Sequence, residues 1–197
     1  MKSAIKASFF LMIYLILFGI TSAAITTLKN VVLRAVLYSV CILFHLVICA
    51  FMCYGEGKKS MKVRISNDAI RRRIVQTGED LRYDKKAEYR TVNGFIMSLI
   101  TTIPVIVVSL ICLISYLSFG AVPNTLKVVT NYVSGNFYYL FCIISGVTAD
   151  WGYAMPIVFI ALFSISMTLG YYLGGRKTEK NMDKINETKR KIKGEYY

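Results

Sequence analysis

The chain has a single histidine and only 11 acidic residues among 197. One histidine, His45, excludes bis-histidine haem ligation within the chain, and H-E-x-x-H is absent. No phosphate loop, dinucleotide fingerprint or G-x-S-x-G elbow occurs either. The acids, Asp150 excepted, fall in segments assigned below to the cytoplasm, which leaves no paired-carboxylate site. Five cysteines, three of them (Cys41, Cys49 and Cys53) in one apolar run, do not suggest a disulfide framework. Short alternating strands are missing, which excludes a closed barrel. So are internal repeats, low-complexity tracts and a separate soluble domain. The expectation is a protein that is not an enzyme, with no catalytic, cofactor-binding or metal-binding residues.

What the chain has is apolar length. Mean hydropathy is +0.52, and the hydrophobic 55% is blocked into long runs. A helix needs about 20 apolar residues to cross a hydrocarbon core of roughly 30 Å. Residues 7–27, 35–54, 95–117 and 153–173 qualify. The fold class expected is all-α, a polytopic integral membrane bundle of four transmembrane helices forming a single domain over 1–197.

Basic residues orient it. Of 24 Lys and Arg, 21 fall in the N-terminal tail, the 55–94 loop and the 174–197 tail, against three in the alternate loops. The positive-inside rule places both termini and the 55–94 loop in the cytoplasm of a cell-membrane protein. The 118–152 loop is then extracytoplasmic, and its residues 136–147 are too short to cross and suit an interfacial or re-entrant segment. A fifth crossing there would send eight basic residues of the tail outside. Thr21-Ser22-Ala23-Ala24, after Lys2 and Lys6, also resembles a signal-peptide cleavage site. The length of the run and the immediate second span favour a retained helix.

Within 55–94, Met61, Val63 and Ile65 alternate with Lys62 and Arg64 as a short strand would. Ser66 or Asn67 then caps a short helix ending before Gly78, and the charge-dense stretch 79–90 reads as helical. The 174–197 tail continues the fourth span as a helix, with Gly174-Gly175 as an expected break and Glu187–Lys191 as an i,i+4 pair.

Polar groups inside the spans are the candidate sites. Cys41, His45, Cys49 and Cys53 recur every four residues and form a slowly winding stripe. At 1.5 Å per residue it spreads over about 18 Å, too far to converge on one ion. His45 lies mid-span, where ionisable groups are costly. A hydrogen bond across helices to Thr101, Thr102, Ser109, Ser164, Ser166 or Thr168 would satisfy it. Thr101-Thr102-Ile103-Pro104 frees a carbonyl by losing a helix hydrogen bond and should kink the third span. His45, Thr101, Thr102 and Pro104 together are the candidate intramembrane polar site. Ser166, Gly170 and Gly174 form a small-residue packing stripe. Arg34 and Asp150 are the candidate ion pair of the outer face.

Asn93-Gly94-Phe95 opening a span, Thr102-Ile103-Pro104 within it, and Gly170-Tyr171-Tyr172-Leu173-Gly174 before a basic tail carry one resemblance. The layout resembles a loose group of small, uncharacterised four-span membrane proteins of Gram-positive bacteria. That group has no established activity, so the resemblance implies no functional residue.

The expected role is non-enzymatic: an accessory or structural subunit whose basic cytoplasmic segments contact the anionic inner leaflet or a protein partner. A homo-oligomer is the other partner expected; the small-residue stripe would pack across it or, as preferred, within the bundle. Nucleic acid is excluded, because no stacking aromatics interleave with the basic residues. The alternative is a small transporter or channel component built on the polar site; a membrane-embedded enzyme ranks last.

Overall fold

The computed structural model describes residues 2–83, 88–146 and 150–195. Five α-helices follow in order: α1 (Lys2–Thr26), α2 (Val31–Thr77), α3 (Val92–Phe119), α4 (Asn124–Ser145) and α5 (Ile160–Glu195), the last preceded by a 3₁₀ segment (Asp150–Phe159). No strand occurs among the described residues, and the chain is an all-α bundle. Four stretches, in α1, α2, α3 and the 3₁₀ segment with α5, are long and apolar enough to cross a membrane. The turns at 27–30 and 120–123 mark one end of the bundle, called the loop end. The charged extensions of α2 and α5 mark the other, the tail end.

Capping explains where α2 stops. The Asn30 side chain accepts the Leu33 N–H at 3.1 Å. Gly78, in the left-handed region (φ 71°), donates its N–H to the Ile74 carbonyl at 2.9 Å. Between these caps the helix is unbroken for 47 residues. The alternating Met61–Ile65 stretch is therefore helix rather than strand, and no helix starts at Ser66 or Asn67. A lone strand would have no partner for its backbone, whereas Gly57, Ser60, Met61 and Asn67 recur at helical spacing and are buried. Where described, 79–83 and 88–90 are not helical, contrary to expectation. Residues 84–87 lie outside the described residues.

This loop is tied back onto α2. The Asn67 amide donates to the Glu88 carboxylate at 2.9 Å, and Arg71 forms an ion pair with the same oxygen. Arg71 also faces the Tyr83 ring at 5.0 Å and pairs with Asp68 at 3.0 Å. The Asn67 hydrogen bond and then Arg71 hold the Glu88 carboxyl below its usual range. That contribution is complete above about pH 4.3, the unfolded value, and is lost as pH falls through the depressed folded value. We expect amide exchange over the described part of the loop to accelerate selectively below that pH, and Glu88→Gln to show the faster exchange already at neutral pH.

α2 and α5 run parallel and make the most extensive helix contact of the bundle. α5 continues through Gly174-Gly175 without the expected break. The side chain of Lys191, assigned to the pair with Glu187, lies outside the described residues. The apolar core combines Leu11 and Leu15 of α1, Cys49 and Cys53 of α2, Met97 and Val105 of α3, Phe137 of α4, and Phe163 and Met167 of α5.

α4 starts and ends at the loop end. Lys127 meets Asp150, Tyr132 approaches Gly19, and Phe137 reaches Phe163; then Tyr139 stacks on Tyr38, while Gly146 and Val31 line one cleft. Counted along α1 and α2, the middle of α4 dips about 10 Å below the helix ends, at 1.5 Å per residue. The turn is made at Ser134, whose φ of −148° and ψ of 20° leave the helical region. The helix thus begins 12 residues before the 136–147 segment read from the sequence. The fourth apolar stretch begins as 3₁₀, not α, with Pro156 inside it. α3 continues as one helix through Pro104.

Candidate functional site

His45 lies on the buried face of α2 and is fully covered. Its ring stacks on Tyr14 (5.2 Å) and Phe18 (5.1 Å) of α1 and meets Phe163 of α5 edge-on at 5.1 Å. Nε2 sits 3.5 Å from Cys49 Sγ, and Nδ1 has no hydrogen-bond partner among the described residues. None of the hydroxyls expected to satisfy it does so. Thr101 and Thr102 are also fully buried, but each donates to its own helix: Thr101 to the Met97 carbonyl at 2.9 Å, Thr102 to that of Ser98 at 2.9 Å. Ser166 donates to the Leu46 carbonyl at 2.9 Å, and the Ser98 and Ser164 hydroxyls pair at 3.0 Å.

The candidate polar site of His45, Thr101, Thr102 and Pro104 is therefore not assembled as one place. α2 and α3 scarcely touch, because α1 and α5 pack between them. The His45 environment is aromatic, and an unpartnered ring nitrogen gains nothing there. We expect His45→Leu to fold as well as His45→Asn or better, since Asn would leave more polar atoms without partners. Melting temperatures of the two variants in detergent check this; a clearly more stable Asn variant would point to a partner for the imidazole.

Ser166, Gly170 and Gly174 come together along α2. A Cβ on Gly170 would stand 2.2 Å from the Ala50 carbonyl oxygen, and one on Gly174 2.1 Å from that of Tyr54. With Ser166 on Leu46, three positions four residues apart lie on three α2 carbonyls four residues apart. Gly57 completes the seam from the α2 side, 2.1 Å from the Tyr171 carbonyl oxygen by the same measure.

Arg34 and Asp150 are not paired. Asp150 accepts from Lys127 Nζ at 2.7 Å and from the Val122 N–H at 2.9 Å. Lys127 stands in the first turn of α4, beside the start of the 3₁₀ segment, and takes the carboxylate first. Arg34 faces a different cleft, discussed below.

Comparison with protein-family models, with curated proteins and with solved structures finds no match for this chain. Among the described residues, no three His, Cys, Asp or Glu side chains converge as a metal site would require.

The remaining feature is cationic and lies where the apolar part of α5 ends. Arg176, Lys177, Lys180 and Lys184, with Tyr54, Leu173 and Asn181, line an open cleft of about 510 Å³. The exposed apolar residues Leu162, Ile165, Leu169 and Leu173 lead directly into Arg176 and Lys180 on one face of α5. On α2, exposed Val40, Leu43, Val47 and Phe51 lead to Tyr54, over whose ring Lys58 stands at 5.2 Å. Sequence reading missed Tyr54 as a wall of this cleft. A helical projection from Leu162 to Lys184 would have shown the change from apolar to basic on one face.

Proposed function

We propose that the chain is a non-enzymatic integral membrane subunit, accessory or structural in role, that holds anionic lipid or a protein partner through the basic extensions of α2 and α5. Both termini and these extensions lie in the cytoplasm in this reading, which the 21-to-3 distribution of basic residues supports. The carrying observation is the cleft at Tyr54, Leu173 and Arg176–Lys184. It sits at the end of two lipid-exposed apolar stripes, so acyl chains lying along the stripes would deliver a phosphate to its four cations. Each basic residue near an anionic leaflet contributes about 1 kcal/mol. A transport reading has less support, because its polar residues stand on helices that barely meet.

Two measurements test the reading. In phosphatidylcholine nanodiscs doped with phosphatidylglycerol, native mass spectrometry should show retained anionic lipid. Changing Arg176, Lys177, Lys180 and Lys184 together to Gln should remove most of it. In a cysteine-free background, a cysteine at Thr125 should react with an impermeant reagent applied to cells, and cysteines at Arg72 and Lys184 should not. Labelling of Lys184 from outside would reverse the assignment.

A further inference from the structure

At the loop end, Val31, Arg34 and Tyr38 of α2 face Tyr139, Cys142, Ile143 and Gly146 of α4 across a cleft of about 390 Å³. Two donor atoms of its lining residues have no acceptor among the described residues. Tyr38 is 1% exposed and its hydroxyl has no hydrogen-bond partner. Arg34 Nε is buried and likewise unpartnered. The acid nearest in kind, Asp150, is held by Lys127 and the Val122 N–H. Among the described residues, no carboxylate lines the cleft. The Arg34 side chain is half-buried as a whole, but its Nε donor is closed off from solvent, and a buried donor without an acceptor costs free energy. Arg34 lies in the first turn of α2, where the helix field also favours negative charge. The Tyr139 ring, 5.7 Å from that of Tyr38 and nearly parallel to it, supplies a flat apolar wall.

We propose that this cleft binds an oxyanion, a carboxylate or phosphate carried by a small solute or by a lipid headgroup, with Arg34 and Tyr38 as its donors. A planar guanidinium edge and a phenol hydroxyl four residues apart on one helix present donors to one side, as recognition of such a group requires. The volume lies within the range of small-ligand sites. The site is separate from the basic cleft of the tail end and does not depend on the role proposed for it.

The competing account is that Arg34 only complements the C-terminal end of α4, which closes the same cleft at Gly146. Thermal melts of the full chain in phosphatidylcholine nanodiscs separate the two. Inorganic phosphate and acetate are titrated separately at constant ionic strength, and phosphatidylglycerol is doped into parallel discs. The proposal expects a saturable rise in melting temperature with at least one probe. A response to phosphate or acetate identifies a solute, and a response to phosphatidylglycerol alone a headgroup. The response should vanish in Arg34→Gln. In Tyr38→Phe, which keeps the ring and the fold, affinity should fall about tenfold, the loss of one hydrogen bond to a charged group. It should persist when the four cations of the tail-end cleft are changed to Gln. No saturable response to any probe overturns the proposal. So does an equal response in Arg34→Gln and Tyr38→Phe, or an Arg34→Gln variant that melts lower by the same amount with and without probe.

Discussion

Gly174→Ala, and equally Gly170→Ala, should lower stability by about 1–3 kcal/mol, the usual cost of forcing extra volume into packed structure. Gly55→Ala on the neighbouring helix should leave it unchanged or raise it slightly. The added methyl is the same in each case; its surroundings differ. At 170 and 174 it would stand 2.2 and 2.1 Å from the carbonyl oxygens of Ala50 and Tyr54, which are backbone and cannot swing aside. At Gly55, nothing beyond its chain neighbours and its own helix backbone lies within 4 Å among the described residues. To admit the methyl, α5 must move away from α2, and the Ser166 hydrogen bond to Leu46 lengthens with it. In a membrane, close approach of this kind supplies much of the attraction between helices, because burying apolar surface against lipid gains little. Melting temperature in a mild detergent measures the effect. Equal melting temperatures for the Gly55, Gly170 and Gly174 variants would mean that the seam does not hold the pair together.

Phe163→Ala should cost about 3–5 kcal/mol, the range for deleting a buried aromatic. Phe163 is 1% exposed and touches both His45 of α2, at 5.1 Å, and Phe137 of α4, at 5.4 Å. Phe137 in turn packs on Phe159 at 4.7 Å. Removing one ring therefore loosens three elements at once. The loss should exceed that of Leu162→Ala, one residue earlier on the exposed face of α5. Phe163→Leu, which refills most of the volume, should recover a large part. A Phe163→Ala variant no less stable than Leu162→Ala would show that the aromatic cluster carries little of the bundle's stability.

The four apolar stretches were legible in the sequence because hydrophobic length alone defines them. The register of Ser166, Gly170 and Gly174 was legible for a similar reason: small residues four apart mark one helical face. The partner of that face was not, because any of three other spans could have offered its backbone. Arg34 and Asp150 show the same limit. Both are charges near helix ends at one side of the bundle, but the fold of α4 brings Lys127 to Asp150 and puts Tyr38 and Tyr139 around Arg34. His45 was read through its polarity, yet its neighbours are the rings of Tyr14, Phe18 and Phe163, apolar residues on other segments that nothing in the sequence ties to it. The Met61–Ile65 alternation misled because period-two patterning over five residues is weak beside an adjacent helix that continues in register.

The unbroken course of α2 fixes how far its arginines stand from a charged bilayer surface. From Tyr54, where the apolar run ends, to Arg71–Arg73 the helix rises about 26 Å at 1.5 Å per residue. The potential of an anionic leaflet decays with a screening length of about 8 Å in physiological salt. Held along the direction of the span, Arg71, Arg72 and Arg73 lie roughly three screening lengths out and feel almost none of it. Arg176, Lys177 and Lys180, within two turns of Gly174, lie inside it. The two basic groups are alike in charge and unlike in address: under the proposed role, one answers to lipid, the other only to something that comes to it through water.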